Sequence, residues 1–152
     1  MSVAYDTDIV TWSADQARML RAMGGGKALN LPLDWDNLAE EIEALGRSER
    51  HALRGHIGAV LEHLIKLMAS PANDPRRGWV ETIIRARADI ADCLADSPSL
   101  DGSVDGLIEV QTMRARKLVA AVLETYGERP CVDLGGLEFS RDQVLGDWFP
   151  AD

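Results

Sequence analysis

Apolar residues recur every three or four positions over most of this chain, a spacing that places them on one face of an α-helix. Stretches rich in glycine and proline interrupt the pattern at residues 24–26, 70–75 and 97–99, because both residues disfavour a helix interior. No stretch is typical of a central β-strand. We therefore predict an all-α helical bundle in a single domain of residues 1–152, with four main helices at about 6–23, 35–69, 78–96 and 103–126.

The second predicted helix, with Asp34 as its N-cap, changes character along its length. Its first half is dense in carboxylates and arginines, and its second half is almost wholly apolar. The short break that follows predicts that the third helix runs antiparallel beside it. The residues predicted to face the core are Leu38, Ile42, Leu45, Ala52, Val60 and Leu67 in the second helix, Tyr5, Ile9, Trp12, Gln16 and Leu20 in the first, Trp79, Ile83, Ala86, Ile90 and Leu94 in the third, and Val104, Ile108, Gln111, Ala115, Leu118, Val119 and Val122 in the fourth.

The C-terminal tail carries its own local signals. Residues 137–139 are predicted as a short extended segment. Ser140 and Gln143 have the spacing of a capping box, which predicts the start of a short helix. Trp148 and Phe149 are two large apolar side chains near the end of the chain, so we expect the tail to dock on the bundle.

The composition is that of a globular protein and disfavours several kinds of partner. Hydrophobic residues make up 46% and charged residues 27% of 152 positions, which is ordinary for a globular domain with a sizeable core. The net charge of -9 disfavours nucleic acid and anionic membrane surfaces as partners. No apolar run approaches the ~20 residues that span a bilayer, and the first residues lack the features of a signal peptide. Two cysteines are too few for a disulfide framework. We expect a cytoplasmic protein that binds neither nucleic acid nor membrane.

Three ionisable side chains lie in the direction of the apolar stripe of the second helix. Glu49, His56 and His63 are seven residues apart, which is nearly two helical turns. Burial of such groups costs free energy unless they are paired, so they indicate either satisfied residues at the core edge or a functional pocket. Their rise of about 10.5 Å per step is too long for two ligands of one metal ion. We expect no metal and no cofactor, and no set of catalytic residues is recognisable.

Charged residues cluster at two places. Carboxylates occupy the first turns of the second helix, where the positive end of the helix dipole favours them, and Glu43 is expected to pair with Arg47 one turn later. The alternative for this cluster is a docking surface for a basic partner. The arginines of the third helix are expected to form ion pairs within the chain. The two clusters are Asp34, Asp36, Glu40, Glu41 and Glu43, and Arg76, Arg77, Arg85 and Arg87.

Several stretches carry a resemblance to a known family. They are Leu38–Glu49, with the specific pattern Glu-Glu-Ile-Glu-x-Leu-Gly-x-Ser-Glu, Tyr5–Asp8 with Trp12, Leu61–Lys66, Trp79 with Thr82 and Ile83, Asp96–Leu100, and Gln143–Leu145 with Phe149 and Pro150. Over nearly its whole length the chain resembles the bacterial family known as domain of unknown function 29. The resemblance implies a small, all-helical bacterial protein and supplies no catalytic residue. The matched positions are candidates only: Glu40, Glu41, Glu43, Glu49, His63, Lys66 and Trp79.

These observations favour a non-enzymatic helical protein that acts through protein interaction or regulation, with an unidentified protein partner. The alternative is a small-ligand binder or an enzyme with a pocket around Glu49, His56 and His63. Val110 and Met113 lie off the inward face of the fourth helix, one turn apart. Because a two-fold axis would let this ridge pack on itself, we also predict a homodimer.

Overall fold

The computed structural model of the protein describes residues 5–25 and 32–151. All regular structure within these ranges is helical, so the prediction of an all-α fold with four main helices and a short C-terminal helix is confirmed. The elements are α1 (Ile9–Gly24), α2 (Trp35–Ala69), α3 (Arg76–Asp96), a 3-10 turn (Pro98–Ser103), α4 (Val104–Thr125), a second 3-10 turn (Leu134–Gly136) and α5 (Arg141–Leu145).

The chain divides into two compact units. The first unit is Met1–Ala52 with Cys93–Asp101, and the second is Leu53–Asp92 with Gly102–Asp152. Helices α2 and α3 each contribute residues to both units. The single domain expected from the sequence stays a prediction.

The ends of the first two helices follow from their capping residues. Helix α2 has the predicted bounds, and Asp34 Oδ1 accepts a hydrogen bond from the Asn37 N–H at 3.2 Å. Helix α1 begins later than predicted because Asp8 is its N-cap and accepts from the Thr11 N–H at 2.9 Å. Its last helical residue is Gly24, as the glycine run predicts. The last glycine of that run lies outside the described residues.

In the first unit, α1 runs antiparallel to the first half of α2, and the two helices meet at glycines. A Cβ at Gly46 would lie 2.7 Å from Ser13 Oγ and 3.5 Å from Val10. A Cβ at Gly24 would lie 2.5 Å from the Cβ of Trp35. Larger residues at these positions would push the helices apart, so the close approach depends on glycine having no side chain.

The predicted core face of this half of α2 is wrong, because the buried residues lie one position later in the sequence than the predicted ones. Leu38 and Leu45 are 41% and 44% exposed, whereas Ala39 and Gly46 are buried. The reason is that α1 packs on the line of small residues, which leaves the leucines beside the contact. Tyr5, expected in the core, is also exposed and packs edge-on against Trp12 with ring centroids 4.9 Å apart.

The second unit holds a large apolar core. Helices α2 and α3 are antiparallel as predicted, because Leu67 O accepts from Arg76 at 2.6 Å while His56 lies opposite Asp89. One predicted core residue, Leu118, is instead 47% exposed. The buried apolar residues of this unit are Leu53, Ile57, Val60, Leu61, Leu64, Ile65, Leu67, Ala69, Ile83, Ala86, Ile90, Val104, Ile108, Ala115, Val119, Leu123 and Val144.

The C-terminal tail docks on α3 through one arginine. The Arg87 guanidinium donates to the carbonyls of Gln143, Val144 and Trp148 at 2.8, 2.9 and 2.6 Å. It also lies 4.8 Å from the ring centroid of Phe149, a cation–π distance. Docking of the tail is therefore confirmed within this unit.

The short helix α5 begins with the predicted capping box of Ser140 and Gln143. The segment 137–139, predicted as extended, forms no strand. It is held instead by Arg116, which donates to the carbonyl of Leu137. A strand needs a neighbouring strand to satisfy its backbone groups, and the described part of the chain supplies none.

Candidate functional site

The two predicted site histidines have different surroundings, both at the edge of the second unit's core. His63 is half-buried, and its Nδ1 lies 2.8 Å from the carbonyl oxygen of Ala59 in the same helix. Because a carbonyl oxygen only accepts, Nδ1 carries the hydrogen in this contact. His56 Nδ1 lies 3.7 Å from an exposed carboxylate oxygen of Asp89, which is too long for a hydrogen bond.

Glu49 is half-buried and belongs to the first unit. A common pocket of Glu49, His56 and His63 therefore stays a prediction. Among residues 5–25 and 32–151, no group of three or more histidine, cysteine or carboxylate side chains is placed to hold a metal ion.

Trp79, the fourth candidate, lines a cleft of about 490 Å³ in the second unit. Two polar contacts border this cleft. Lys66 Nζ pairs with Glu62 at 2.6 Å, and the buried hydroxyl of Ser70 donates to Glu128 at 3.2 Å. Apolar residues of α4 form the opposite wall. Sequence reasoning missed Ser70 and Glu128, because they lie 58 positions apart and carry no motif.

The contacts of the α3 arginines match the prediction of ion pairs only in part. Arg85 does pair with Glu81, at 2.6 Å on the exposed surface. Arg76 and Arg87 bind backbone carbonyls instead. Burial lowers the pKa of Arg87, and the charge of Asp147 opposes that effect. These two arginines are structural, because they satisfy carbonyls at the end of α2 and in the tail.

One side of the α1–α2 contact in the first unit is occupied by ion pairs. Arg21 donates to Glu43 at 2.8 Å and lies 3.5 Å from Glu40. Arg47 donates to Glu40 at 2.7 Å, and its predicted pairing with Glu43 is confirmed at 3.8 Å. The hydrogen bond from Arg21, together with its charge, holds the pKa of Glu43 below the ordinary value. Arg21 and Arg47 thus compensate the two carboxylates.

The other side of this contact is apolar. With about 100° of rotation per residue, Arg21 lies on one side of the α1 contact line, and Met19 and Met23 lie on the other. The same geometry in α2 places Leu38 and Leu45 away from the ion-paired carboxylates. Since the ion pairs fix which sides of α1 and α2 coincide, Met23, Leu38 and Leu45 lie on the same side of the helix pair, and Met19 lies farther around α1. All four are exposed. We call Met19, Met23, Leu38 and Leu45 the apolar side.

Helix α4 also has an exposed apolar ridge, as predicted. Val110 is 56% and Met113 is 54% exposed. Both lie opposite the buried face of α4, which includes Val104, Ile108 and Ala115. The described residues include no helix that is both long enough and apolar enough to cross a membrane.

The fold and these surfaces define a small all-α protein whose described residues carry exposed apolar side chains on two helical faces. The family model described as "Domain of unknown function DUF29" matches residues 4–134. The chain belongs to this family, as the resemblance of its sequence predicts.

One solved structure is similar over almost the whole chain. It is the crystal structure, at 1.45 Å resolution, of an alpha-helical protein of unknown function from Rhodospirillum rubrum ATCC 11170. The TM-score is 0.78 at 25% identity, and the match covers 99% of this chain and 94% of the other. No curated protein matches this chain.

Proposed function

We propose that this protein is a non-enzymatic interaction protein that binds a basic amphipathic helix of a partner on the apolar side of its first unit. The observation that carries the proposal is the exposure of four large apolar side chains, Met19, Met23, Leu38 and Leu45. Helical geometry places them on one side of a helix pair or next to it. Single exposed apolar residues are normal on a protein surface, but a group of four on two adjacent helices is typical of a binding site.

The chemistry of the surface favours an amphipathic helix as the occupant. Methionine side chains are flexible and polarisable, so they adapt to the apolar face of a bound helix. The leucines of α2 are bordered by Glu41 and Glu49, which helical geometry places on the same side of α2. These carboxylates, together with a net charge of -9, favour a partner helix with lysine or arginine beside its apolar face. In this proposal, Glu49 acts as a binding residue.

A designed peptide tests the surface while the natural partner is unidentified. The probe is a fluorescently labelled leucine–lysine peptide of about 18 residues that forms an amphipathic helix. A scrambled peptide of the same composition controls for general attraction to an acidic protein. Fluorescence anisotropy should show saturable binding of the amphipathic peptide, and this binding should weaken by about tenfold in the Leu38→Asp, Leu45→Asp double variant.

The matched control is the Ile84→Asp, Leu118→Asp double variant, which places the same two charges on exposed apolar residues of α3 and α4. It should leave the affinity for the peptide within about twofold of the unchanged protein. Equal affinity for the amphipathic and scrambled peptides would overturn the proposal. So would an equal loss of affinity in the control and the Leu38→Asp, Leu45→Asp variant.

A second candidate function, small-ligand binding, is favoured by the cleft at Trp79. Its apolar walls and its two polar groups, Lys66 and Glu128, are the features of a small-molecule site. Native mass spectrometry of protein purified from its host would test this function. A bound small molecule that is lost in Trp79→Ala supports it, and unliganded protein from several growth conditions counts against it.

A further inference from the structure

The exposed face of α4 combines an apolar centre with charges of opposite sign at its two ends. Val110 and Met113 form the centre. Glu109 lies toward the helix N-terminus, and Lys117 lies toward the C-terminus. All four are exposed, and no described residue forms an ion pair with Glu109 or Lys117. If a second copy of this face packs against the first in the antiparallel direction, opposite charges therefore meet at both ends.

Helical geometry fixes the register in which the two copies would meet. Glu109 and Lys117 are each four residues from Met113, one on either side. A two-fold axis at Met113 therefore places Glu109 of one copy opposite Lys117 of the other, and the pair occurs twice. We propose that the protein forms a homodimer through antiparallel packing of α4 on α4, with Met113 at the two-fold axis.

The small residues on the same face allow the two helices to approach closely. Gly106 and Ala120 are each seven residues from Met113, so the same axis places them opposite one another. A Cβ at Gly106 would meet nothing within 4 Å in the single chain. Small residues on facing helices shorten the distance between the helix axes, which brings the central apolar side chains into contact.

The overall charge opposes this association. Two copies with a net charge of -9 repel each other, so the dimer depends on the local pairing of Glu109 with Lys117. A parallel arrangement would instead place each charged residue opposite its own kind. The proposal concerns α4 alone, and it does not depend on the binding function proposed for the first unit.

Sedimentation equilibrium of the full chain and of charge-reversed variants tests this register. Wild-type protein should be a reversible dimer at micromolar concentration. Lys117→Glu and Glu109→Lys should each weaken the dimer by about tenfold, because each reversal turns two attractive pairs into repulsive ones. The double variant should restore the affinity to within about threefold of wild type. An equimolar mixture of the two single variants should form a heterodimer.

Arg129→Glu is the matched control, because it changes the net charge as Lys117→Glu does but lies in the exposed loop after α4. Circular dichroism of each variant establishes that it is folded. Three results would each overturn the proposal: a wild-type monomer at several hundred micromolar, a dimer that neither single variant weakens more than the control does, or a double variant as weak as the single ones.

Discussion

The two halves of helix α2 have almost opposite environments although they form one continuous helix. In the first half, residues 35–52, the buried positions are Ala39 and Gly46. In the second half, residues 53–69, eight apolar residues are buried, five of them leucine or isoleucine with no exposed surface. The first half is held by close backbone approach and surface ion pairs, and the second by burial of large side chains.

This difference indicates which half of α2 contributes more to the stability of the fold. A fully buried leucine contributes about 1.5–3 kcal/mol through the hydrophobic effect, whereas an exposed ion pair contributes at most about 1 kcal/mol. The second half of α2 therefore provides most of the stability. The exposed leucines of the first half contribute little to folding.

The largest expected effect comes from the core of the second unit. Leu64 has no exposed surface, so Leu64→Ala should cost about 2–5 kcal/mol in the free energy of unfolding, through lost burial and a residual cavity. The matched change in the first half of α2, Leu45→Ala, should cost less than about 0.5 kcal/mol because Leu45 is exposed. Urea unfolding measures both. Similar losses in the two variants would contradict the contrast between the halves.

Substitution of one arginine in each unit tests the same contrast between buried contacts and surface ion pairs. Arg87 binds three tail carbonyls, so Arg87→Ala should lower the free energy of unfolding by about 2–3 kcal/mol and release the tail. Arg21→Ala removes an exposed ion pair and should have a much smaller effect that disappears in high salt. The measurements are urea unfolding and limited proteolysis near Trp148. A tail that resists protease equally in Arg87→Ala would show that other contacts hold it.

Two glycines of α2 should respond to the same substitution with opposite signs. Gly46→Ala places a Cβ 2.7 Å from Ser13 Oγ, and the strain should exceed the gain in helix propensity by about 1–2 kcal/mol. Gly55 is exposed with nothing near its missing Cβ, so Gly55→Ala should stabilise the protein by about 0.5–1 kcal/mol. Thermal and urea unfolding report both signs. Stabilisation by Gly46→Ala would mean that α1 does not depend on the glycine contact.

The features that the sequence predicts well are those that depend on near neighbours. The bounds of α2 and the capping box at Ser140 follow from local hydrogen bonds and from breaks in periodicity. The face of α2 that is buried near residue 40 depends on which helix packs there, and periodicity alone favoured Leu38 and Leu45. The carbonyls bound by Arg87 lie 56 to 61 positions away, so no local pattern indicates them. The shared surface of α1 and α2 likewise requires their relative orientation.

The last expected effect concerns Asp8, which stabilises the first unit by hydrogen bonds rather than by apolar burial. Its carboxylate caps α1 and accepts from the backbone N–H and the hydroxyl of Ser99 at 2.7 and 3.0 Å. Asparagine retains one oxygen for the cap but loses an acceptor, so Asp8→Asn should cost about 1 kcal/mol at neutral pH.

The pH dependence of this cost is a further test of Asp8. Burial, the largest single influence, raises the pKa of Asp8, but hydrogen bonds from Thr11 and Ser99 outweigh it and leave the pKa below the ordinary value of 3.8. The unfolded chain therefore binds the proton more readily. The stabilisation is present above pH 3.8 and is lost as the pH falls through the folded-state pKa. Urea unfolding at several pH values should show wild type and Asp8→Asn converging only in acid. A difference that stays constant down to the lowest pH would show that the charge of Asp8 contributes nothing to this stabilisation.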